Sequence, residues 1–111
     1  MNSIMKFRIC ILAILLGIGE STSEFLRCTE YVQKSAHKSI READKLKAYG
    51  LFKQGTSGDC NPAVPPSSDI YERTKRNAWC AEVGKSREAA QIEYVALIGR
   101  IAPEWRSAAA N

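Results

Sequence analysis

Histidine is almost missing from this chain of 111 residues, because His37 is the only one. The sequence also contains no Gly-x-Ser-x-Gly motif, the turn that presents a nucleophilic serine in many hydrolases. General acid–base and nucleophilic catalysis both need a titratable side chain beside a reacting group, and no such set can be assembled here. His37 lies between two predicted helices, which indicates a loop residue. We therefore predict that the protein is not an enzyme.

Long hydrophobic runs are missing as well. The longest apolar stretch, Ile9–Ile18, is shorter than the roughly 20 residues that a helix needs to cross a bilayer. The basic residues Lys6 and Arg8 precede this stretch, and small residues follow it. A basic region, a short apolar region and a cleavage site with small residues are the three parts of a secretory signal peptide. We predict a signal peptide over residues 1–19, cleaved between 19 and 23, and a location in the secretory pathway or outside the cell. The alternative is a membrane anchor formed by an uncleaved N-terminal segment.

A strong excess of one charge is also missing. The formal net charge is +4, but Lys6 and Arg8 lie in the predicted signal peptide, and the rest of the chain holds 14 basic and 12 acidic residues. Such a balance gives little long-range attraction to a polyanion. We therefore predict no nucleic-acid partner.

Cysteine is sparse, and its spacing excludes two common uses. After cleavage Cys28, Cys60 and Cys80 remain, with neither a zinc-ligand pattern nor a Cys-x-x-Cys redox motif. An odd number of cysteines cannot all pair within one chain. One alternative is a single intramolecular disulfide with a remaining thiol that is free or pairs with another chain, and the other is three buried or half-buried thiols. We predict neither a metal nor a cofactor.

Helical periodicity is what the sequence contains in abundance. Apolar or small residues recur three and four positions apart, and we find no strand pattern and no internal repeat. The residues beyond the signal peptide have room for one domain with a modest core. We predict an all-α four-helix bundle. Its predicted helices cover about residues 24–36, 40–57, 70–83 and 87–105.

Turn and cap residues separate these helices. Gly58 would end the second helix and Gly84 the third, since glycine readily closes a helix C-terminus. Asp69 and Ser86 are good N-caps for the third and fourth helices. Three of the four prolines fall in the segment 58–69, which we predict to be a loop.

The C-terminal end carries the fourth proline. Pro103 has no backbone N–H and fits badly inside a helix, so we expect the last helix to bend or unwind there. The tail, residues 107–111, is small and polar, and we predict that it is disordered.

The second predicted helix presents two rings and one ammonium group on nearly one face. Tyr49 lies three and four positions before Phe52 and Lys53, and such residues are neighbours on a helix surface. A phosphate is bound well by an ammonium and a phenolic donor, and a purine packs against an aromatic ring. The alternative is that both rings belong to the core and Lys53 reaches past them to water.

The sequence around these residues resembles a known family. The segment 49–59, Tyr-Gly-Leu-Phe-Lys-Gln-Gly-Thr-Ser-Gly-Asp, is close to the pattern Tyr-Gly-Leu-Tyr-Lys-Gln-Ala-Thr-x-Gly-Asp of the acyl-CoA-binding proteins, which include the diazepam-binding-inhibitor-like proteins. A second block follows in register, with Lys75-x-x-Ala78-Trp79, then Gly84-x-Ser86-x-Glu88-x-Ala90, then Tyr94. The resemblance implies an acyl-CoA-binding domain over residues 24–106.

The resemblance also implies a ligand and its contacts. The ligand would be a long-chain fatty acyl-CoA, bound non-covalently by a monomer that carries or buffers it in lipid metabolism and meets membrane surfaces during exchange. Tyr49, Lys53 and Lys75 match the residues that meet the ribose 3′-phosphate. The other implied contacts are Phe52 against the adenine, Tyr94 near the nucleotide, Gly50 and Leu51 on the same surface, and Lys34 on the first helix, or Gln33 in another alignment.

Some positions depart from the family pattern. Phe52 stands where tyrosine is frequent, Arg76 where tryptophan is usual, and Val64 and Pro66 lie in a loop that commonly reads Arg-Pro-Gly. A second hypothesis follows from the signal peptide, since acyl-CoA is made and used chiefly on the cytosolic side. The same bundle would then serve a secreted interaction or effector protein with an altered ligand.

Overall fold

The computed structural model of the protein describes residues 20–36 and 40–110. All the regular secondary structure within these ranges is helical, with no strand, which confirms the predicted all-α class. The helices are α1 (Glu20–Tyr31), which continues into a π-helical turn (Val32–Ala36), α2 (Glu42–Ser57), α3 (Ile70–Cys80), α4 (Arg87–Ile101) and α5 (Trp105–Ala110). The predicted signal peptide over residues 1–19 lies outside the described residues, and so does His37, which was predicted to lie in a loop.

Local chemistry sets several helix ends where the sequence predicts them. The Asp69 carboxylate accepts the Tyr71 N–H at 2.8 Å and starts α3. The Ser86 hydroxyl accepts the Ala89 N–H at 3.0 Å and starts α4. At the other end of α2, Gly58 has a φ of 80°, a conformation that costs glycine little because it has no Cβ.

Helix α1 begins earlier than predicted. Its first residue is Glu20 rather than about residue 24, so Ser21 to Ser23 lie inside the helix. The Thr22 hydroxyl lies 3.3 Å from the Gln91 side-chain oxygen of α4, and this contact between distant segments ties the first turn to the bundle. The sequence pattern missed it because the partner lies 69 residues away.

At the C-terminal end the helix is interrupted at Pro103, as predicted, although it ends before the predicted residue 105. Helix α4 ends at Ile101, and Pro103 follows in a short turn, because a proline interrupts helical hydrogen bonding. The chain then forms α5 rather than the predicted disordered tail at 107–111, of which Asn111 lies outside the described residues. Two contacts anchor α5: Trp105 is buried in the core, and Arg106 pairs with Glu24 of α1.

The core lies between α1, α2 and α4. Its centre is a cluster of three rings in which Phe25 stacks on Phe52, with centroids 6.2 Å apart, and meets Tyr94 edge to face at 5.2 Å. Leu51 and Ile98 are also almost fully buried. Within the described ranges no helix combines the length and the apolar character needed to cross a bilayer.

Helix α3 has no buried residue and is attached to the core by other means. A Cβ added to Gly50 would lie 2.3 Å from the Ala78 carbonyl oxygen, so the two backbones touch where α2 and α3 meet. A disulfide joins Cys60, in the loop after α2, to Cys80 at the end of α3. The structure thus selects the first cysteine alternative, with Cys28 as the free and buried thiol.

Candidate functional site

Two rings and two ammonium groups meet where α2 and α3 face each other. Lys75 of α3 places Nζ 5.8 Å from the centroid of the Tyr49 ring on α2. Lys53 of α2 places Nζ 4.6 Å from the Trp79 ring of α3. Each helix supplies one ring and one ammonium four positions apart, so the pairs cross from helix to helix. We call Tyr49, Lys53, Lys75 and Trp79 the α2–α3 face.

Lys75 is the more enclosed of the two lysines. Its Nζ also lies 5.2 Å from the Tyr71 ring and 3.0 Å from a Glu72 carboxylate oxygen, and only 12% of its side chain is exposed. Half-burial raises the pKa of Tyr49, while the nearby Lys75 charge acts in the opposite direction. The Tyr49 phenol therefore stays protonated at neutral pH and can donate a hydrogen bond to an anion.

Lys53 lies over the Trp79 indole, a geometry in which the ring attracts the cation. Among the ion pairs found over residues 20–36 and 40–110, none involves Lys53. Ring contact leaves the N–H donors of an ammonium available. Lys53 can therefore offer its charge to an incoming anion without first breaking a salt bridge.

A network around the α2–α3 loop holds Trp79 in place. The Trp79 indole N–H donates to the Gly58 carbonyl at 2.8 Å. The neighbouring Asp59 carboxylate accepts from the Gly84 N–H at 3.0 Å and the Gln54 amide at 2.7 Å, and these bonds lower the pKa of Asp59. The Cys60–Cys80 disulfide closes the same region covalently. The position of the indole under Lys53 thus depends on the loop.

A second ionic group lies beside Gly50, on the same side of α2 that meets α3. Glu82 is 3% exposed and accepts hydrogen bonds from Lys47 and Lys85, each at 2.6 Å. Burial opposes the charged form, but the two lysines outweigh it and lower the pKa of Glu82. Lys85 also reaches Glu93 of α4 at 2.8 Å. This group connects α2 to the turn between α3 and α4.

Three predicted contact residues on α2 face inward. Phe52 and Leu51 are 2% and 1% exposed and belong to the core, and Gly50 is buried against Ala78. The Phe52 ring stacks on Phe25 rather than lying on the α2–α3 face. The structure therefore does not bring these residues to the exposed surface beside Lys53.

The two remaining candidates lie elsewhere. Tyr94 is fully buried, its hydroxyl has no hydrogen-bond partner among the described residues, and burial raises the pKa of its phenol well above the usual value. Lys34 is exposed on the π-helical turn and pairs with Glu30 at 3.8 Å. Gln33, its alternative, is half-buried on the same turn. The structure joins neither Tyr94 nor Lys34 to the α2–α3 face.

Three residues of the site were missed from the sequence or placed differently. Trp79 was named only as part of the family motif but is half-buried beneath Lys53, and Tyr71 and Glu72 were not singled out although both touch Lys75. Spacing offered a signal, since Tyr71 and Glu72 precede Lys75 by four and three positions and so share its side of the helix. The arrangement defines a helical bundle that can bind an anion next to an aromatic group.

Comparison with known proteins agrees with this chemistry. The family described as Acyl CoA binding protein matches residues 22–98. The acyl-CoA-binding protein of Dictyostelium discoideum is 45% identical over 76 residues, which span 68% of this chain and 84% of that protein. The chain therefore belongs to the acyl-CoA-binding protein family, and the resemblance predicted from the sequence is confirmed.

This chain is also similar to a solved structure and to part of one enzyme. The solution structure of the acyl CoA binding protein from Babesia bovis T2Bo matches with a TM-score of 0.65 and 37% identity, over 78% of this chain and 98% of that one. Enoyl-CoA delta isomerase 2 of Homo sapiens is 40% identical over 63 residues, which span 57% of this chain but 16% of that enzyme. So small a shared part assigns no isomerase activity to this chain.

Proposed function

We propose that this protein binds long-chain acyl-CoA non-covalently and acts as a monomeric carrier without enzymatic activity. The observation that carries the proposal is the convergence of Tyr49, Lys53 and Lys75 where α2 and α3 meet. Membership of the family and the name of the Dictyostelium discoideum relative support acyl-CoA as the ligand.

The nucleotide end of the ligand fits the charges of the face. Two ammonium groups and a protonated phenol are suitable donors for a phosphate dianion, and charge-assisted hydrogen bonds are about twice as strong as neutral ones. Lysine binds phosphate as a point charge, so the ring contacts of Lys53 and Lys75 restrict each charge without consuming its donors. We assign the ribose 3′-phosphate to this set.

The acyl chain would contribute through apolar burial, worth about 0.8 kcal/mol for each methylene removed from water. Ile70 and Tyr71 at the start of α3 are 66% and 42% exposed, close in sequence to Lys75. Such apolar surface next to a charged face suits either the chain itself or a membrane surface met during ligand exchange. Affinity should therefore rise with chain length until the available surface is covered.

We further propose that the carrier works in the secretory pathway or outside the cell. The predicted signal peptide motivates this location, and the Cys60–Cys80 disulfide supports it because disulfides persist in oxidising compartments. The same two features favour the second candidate function, a secreted interaction or effector protein with an altered ligand. Retention of both lysines on the α2–α3 face favours the carrier.

Titration calorimetry of palmitoyl-CoA into the oxidised protein separates the two candidates, with free CoA and free palmitate as controls. The carrier predicts one-to-one binding of the ester and much weaker binding of either half. Lys53→Met should weaken binding about tenfold, because a charge-assisted hydrogen bond contributes about 1.5 kcal/mol or more. Arg100→Met, which removes a charge from the exposed surface of α4, should leave the affinity unchanged. The absence of any heat from a folded sample would favour the altered-ligand alternative.

A further inference from the structure

Glu72 already forms a salt bridge with Lys75, whose ammonium group is assigned to the ligand phosphate in the proposed function. Its carboxylate oxygen lies 3.0 Å from Lys75 Nζ, one turn back along α3. The Tyr71 and Tyr49 rings approach the same Nζ at 5.2 and 5.8 Å. An incoming phosphate would therefore meet an ammonium that is already neutralised.

The two partners of this salt bridge differ in their freedom to move. The Lys75 side chain is 12% exposed and lies between two rings, whereas Glu72 is 54% exposed. A solvent-exposed carboxylate can rotate into water at little cost, while moving the lysine would also break its ring contacts. Displacement of Glu72 is thus the easier change when a second anion arrives.

We propose that Glu72 is a positioning residue that competes internally with the ligand phosphate for Lys75 and so weakens the binding of the ligand. A phosphate monoester carries about −1.5 to −2 charges near pH 7, so it repels the carboxylate as it approaches and takes its place on the ammonium. The inference rests on the proposed function, because the phosphate in question is the ribose 3′-phosphate of acyl-CoA. The consequence is an affinity set below the value that the lysines alone would give, which eases release of the ligand.

The test compares palmitoyl-CoA with palmitoyl-dephospho-CoA, which lacks the 3′-phosphate, in titrations of the oxidised protein and of Glu72→Gln. The variant should bind palmitoyl-CoA about threefold to tenfold more tightly, since it removes both the competing partner and a like charge near the phosphate. Its affinity for palmitoyl-dephospho-CoA should change less than about twofold. In a Lys75→Met background, Glu72→Gln should no longer affect the preference for the phosphorylated ligand.

Helix α2 supplies a matched control. Glu42 also lies in the first turn of a helix and pairs with a lysine three residues later, Lys45, at 3.4 Å. Glu42→Gln therefore removes an equivalent carboxylate from a lysine that is not part of the α2–α3 face, about 10 Å along α2 from Tyr49, and should change both affinities less than about twofold. Thermal melts of each variant, followed by circular dichroism, verify that the fold is retained.

Two failures can be told apart. If the unaltered protein binds neither palmitoyl ligand, the proposed function fails and this inference fails with it. If it binds palmitoyl-CoA but Glu72→Gln changes both affinities equally, or weakens the binding of palmitoyl-CoA, the inference alone is overturned. The inference is likewise overturned if the effect of Glu72→Gln persists without Lys75.

Discussion

The two sides of α2 are stabilised by different kinds of contact. Toward α1 and α4 it packs Leu51 and Phe52 into an apolar core whose centre is almost free of solvent. Toward α3 it makes a backbone contact at Gly50, and α3 itself buries no side chain fully. The first side is held by the removal of apolar area from water, and the second by a disulfide, hydrogen bonds and ring–cation contacts. Loss of the contacts between α2 and α3 should therefore disable the candidate site without unfolding the bundle.

Truncation of a core ring should have the largest effect on stability. Phe25 is fully buried and contacts both Phe52 and Tyr94, so Phe25→Ala should lower the free energy of unfolding by about 4 kcal/mol. Chemical denaturation followed by circular dichroism measures this loss. Ile92→Ala on α4, where the side chain is 53% exposed, should cost less than about 0.5 kcal/mol. Equal losses for the two variants would contradict the position of the core.

Removal of the disulfide tests the α3 side. Cys60 and Cys80 are 20 residues apart in sequence, and closing a loop of this size stabilises a protein by about 3 kcal/mol. The double variant Cys60→Ser, Cys80→Ser should lose about that amount in denaturation while keeping a helical circular dichroism spectrum at low denaturant. Adding a reductant should destabilise the unaltered protein but not the double variant, because Cys28 is a free thiol. A response of the double variant to the reductant would contradict this pairing.

A single methyl group at the contact between α2 and α3 should have a smaller effect. The added Cβ in Gly50→Ala would lie 2.3 Å from the Ala78 carbonyl oxygen, so α3 must shift, and overpacking of this kind costs about 1–3 kcal/mol. Gly99→Ala on α4 is the matched control, since its Cβ would come no closer than 4.0 Å to Trp105 and alanine favours helix. We expect Gly50→Ala to lower both the melting temperature and palmitoyl-CoA affinity, and Gly99→Ala to raise the melting temperature or leave it unchanged. Tolerance of both changes would mean that the backbones are less closely packed.

The pH dependence of the Glu82 group should be the smallest effect. The lysine partners hold the folded-state pKa of Glu82 below its usual value of 4.5, so its contribution to stability is present above that value and is lost as the pH falls through the folded-state pKa. The difference in unfolding free energy between the unaltered protein and Glu82→Gln should therefore shrink as the pH is lowered from 7 to 3. Glu88→Gln, on the exposed surface of α4, provides the control. A difference that widens on acidification would reverse the sign of the assigned pKa shift.

The sequence predicted features that depend on neighbours a few residues away. The helix caps at Asp69 and Ser86 and the turn at Gly58 were found this way, because each is a local exchange of hydrogen bonds or a local backbone conformation. The grouping of Tyr49 with Lys53 followed from helical spacing, and Lys75 joined them through the family resemblance. Their role in ligand binding remains a prediction.

Helical periodicity did not distinguish the residues of α2 that pack in the core from those that lie on the α2–α3 face. Tyr49 and Phe52 are three positions apart, yet Tyr49 is half-buried beside Lys75 while the Phe52 ring packs in the core. A rotation of less than one turn separates these environments, and the spacing of apolar residues does not resolve it. Tyr94 is a similar case, since a tyrosine pattern alone does not reveal whether the hydroxyl reaches solvent.

The sequence by itself determined the all-α class, the end of α2, the starts of α3 and α4, and the family to which the chain belongs, because these properties are carried by residues close together or by motifs in order. Only the tertiary structure decided that Cys60 pairs with Cys80, that Thr22 meets Gln91 and that Trp79 lies beneath Lys53. Each of these contacts joins residues at least 20 positions apart, and their distances are fixed by how the helices pack rather than by local preference. The α2–α3 face is a product of that packing.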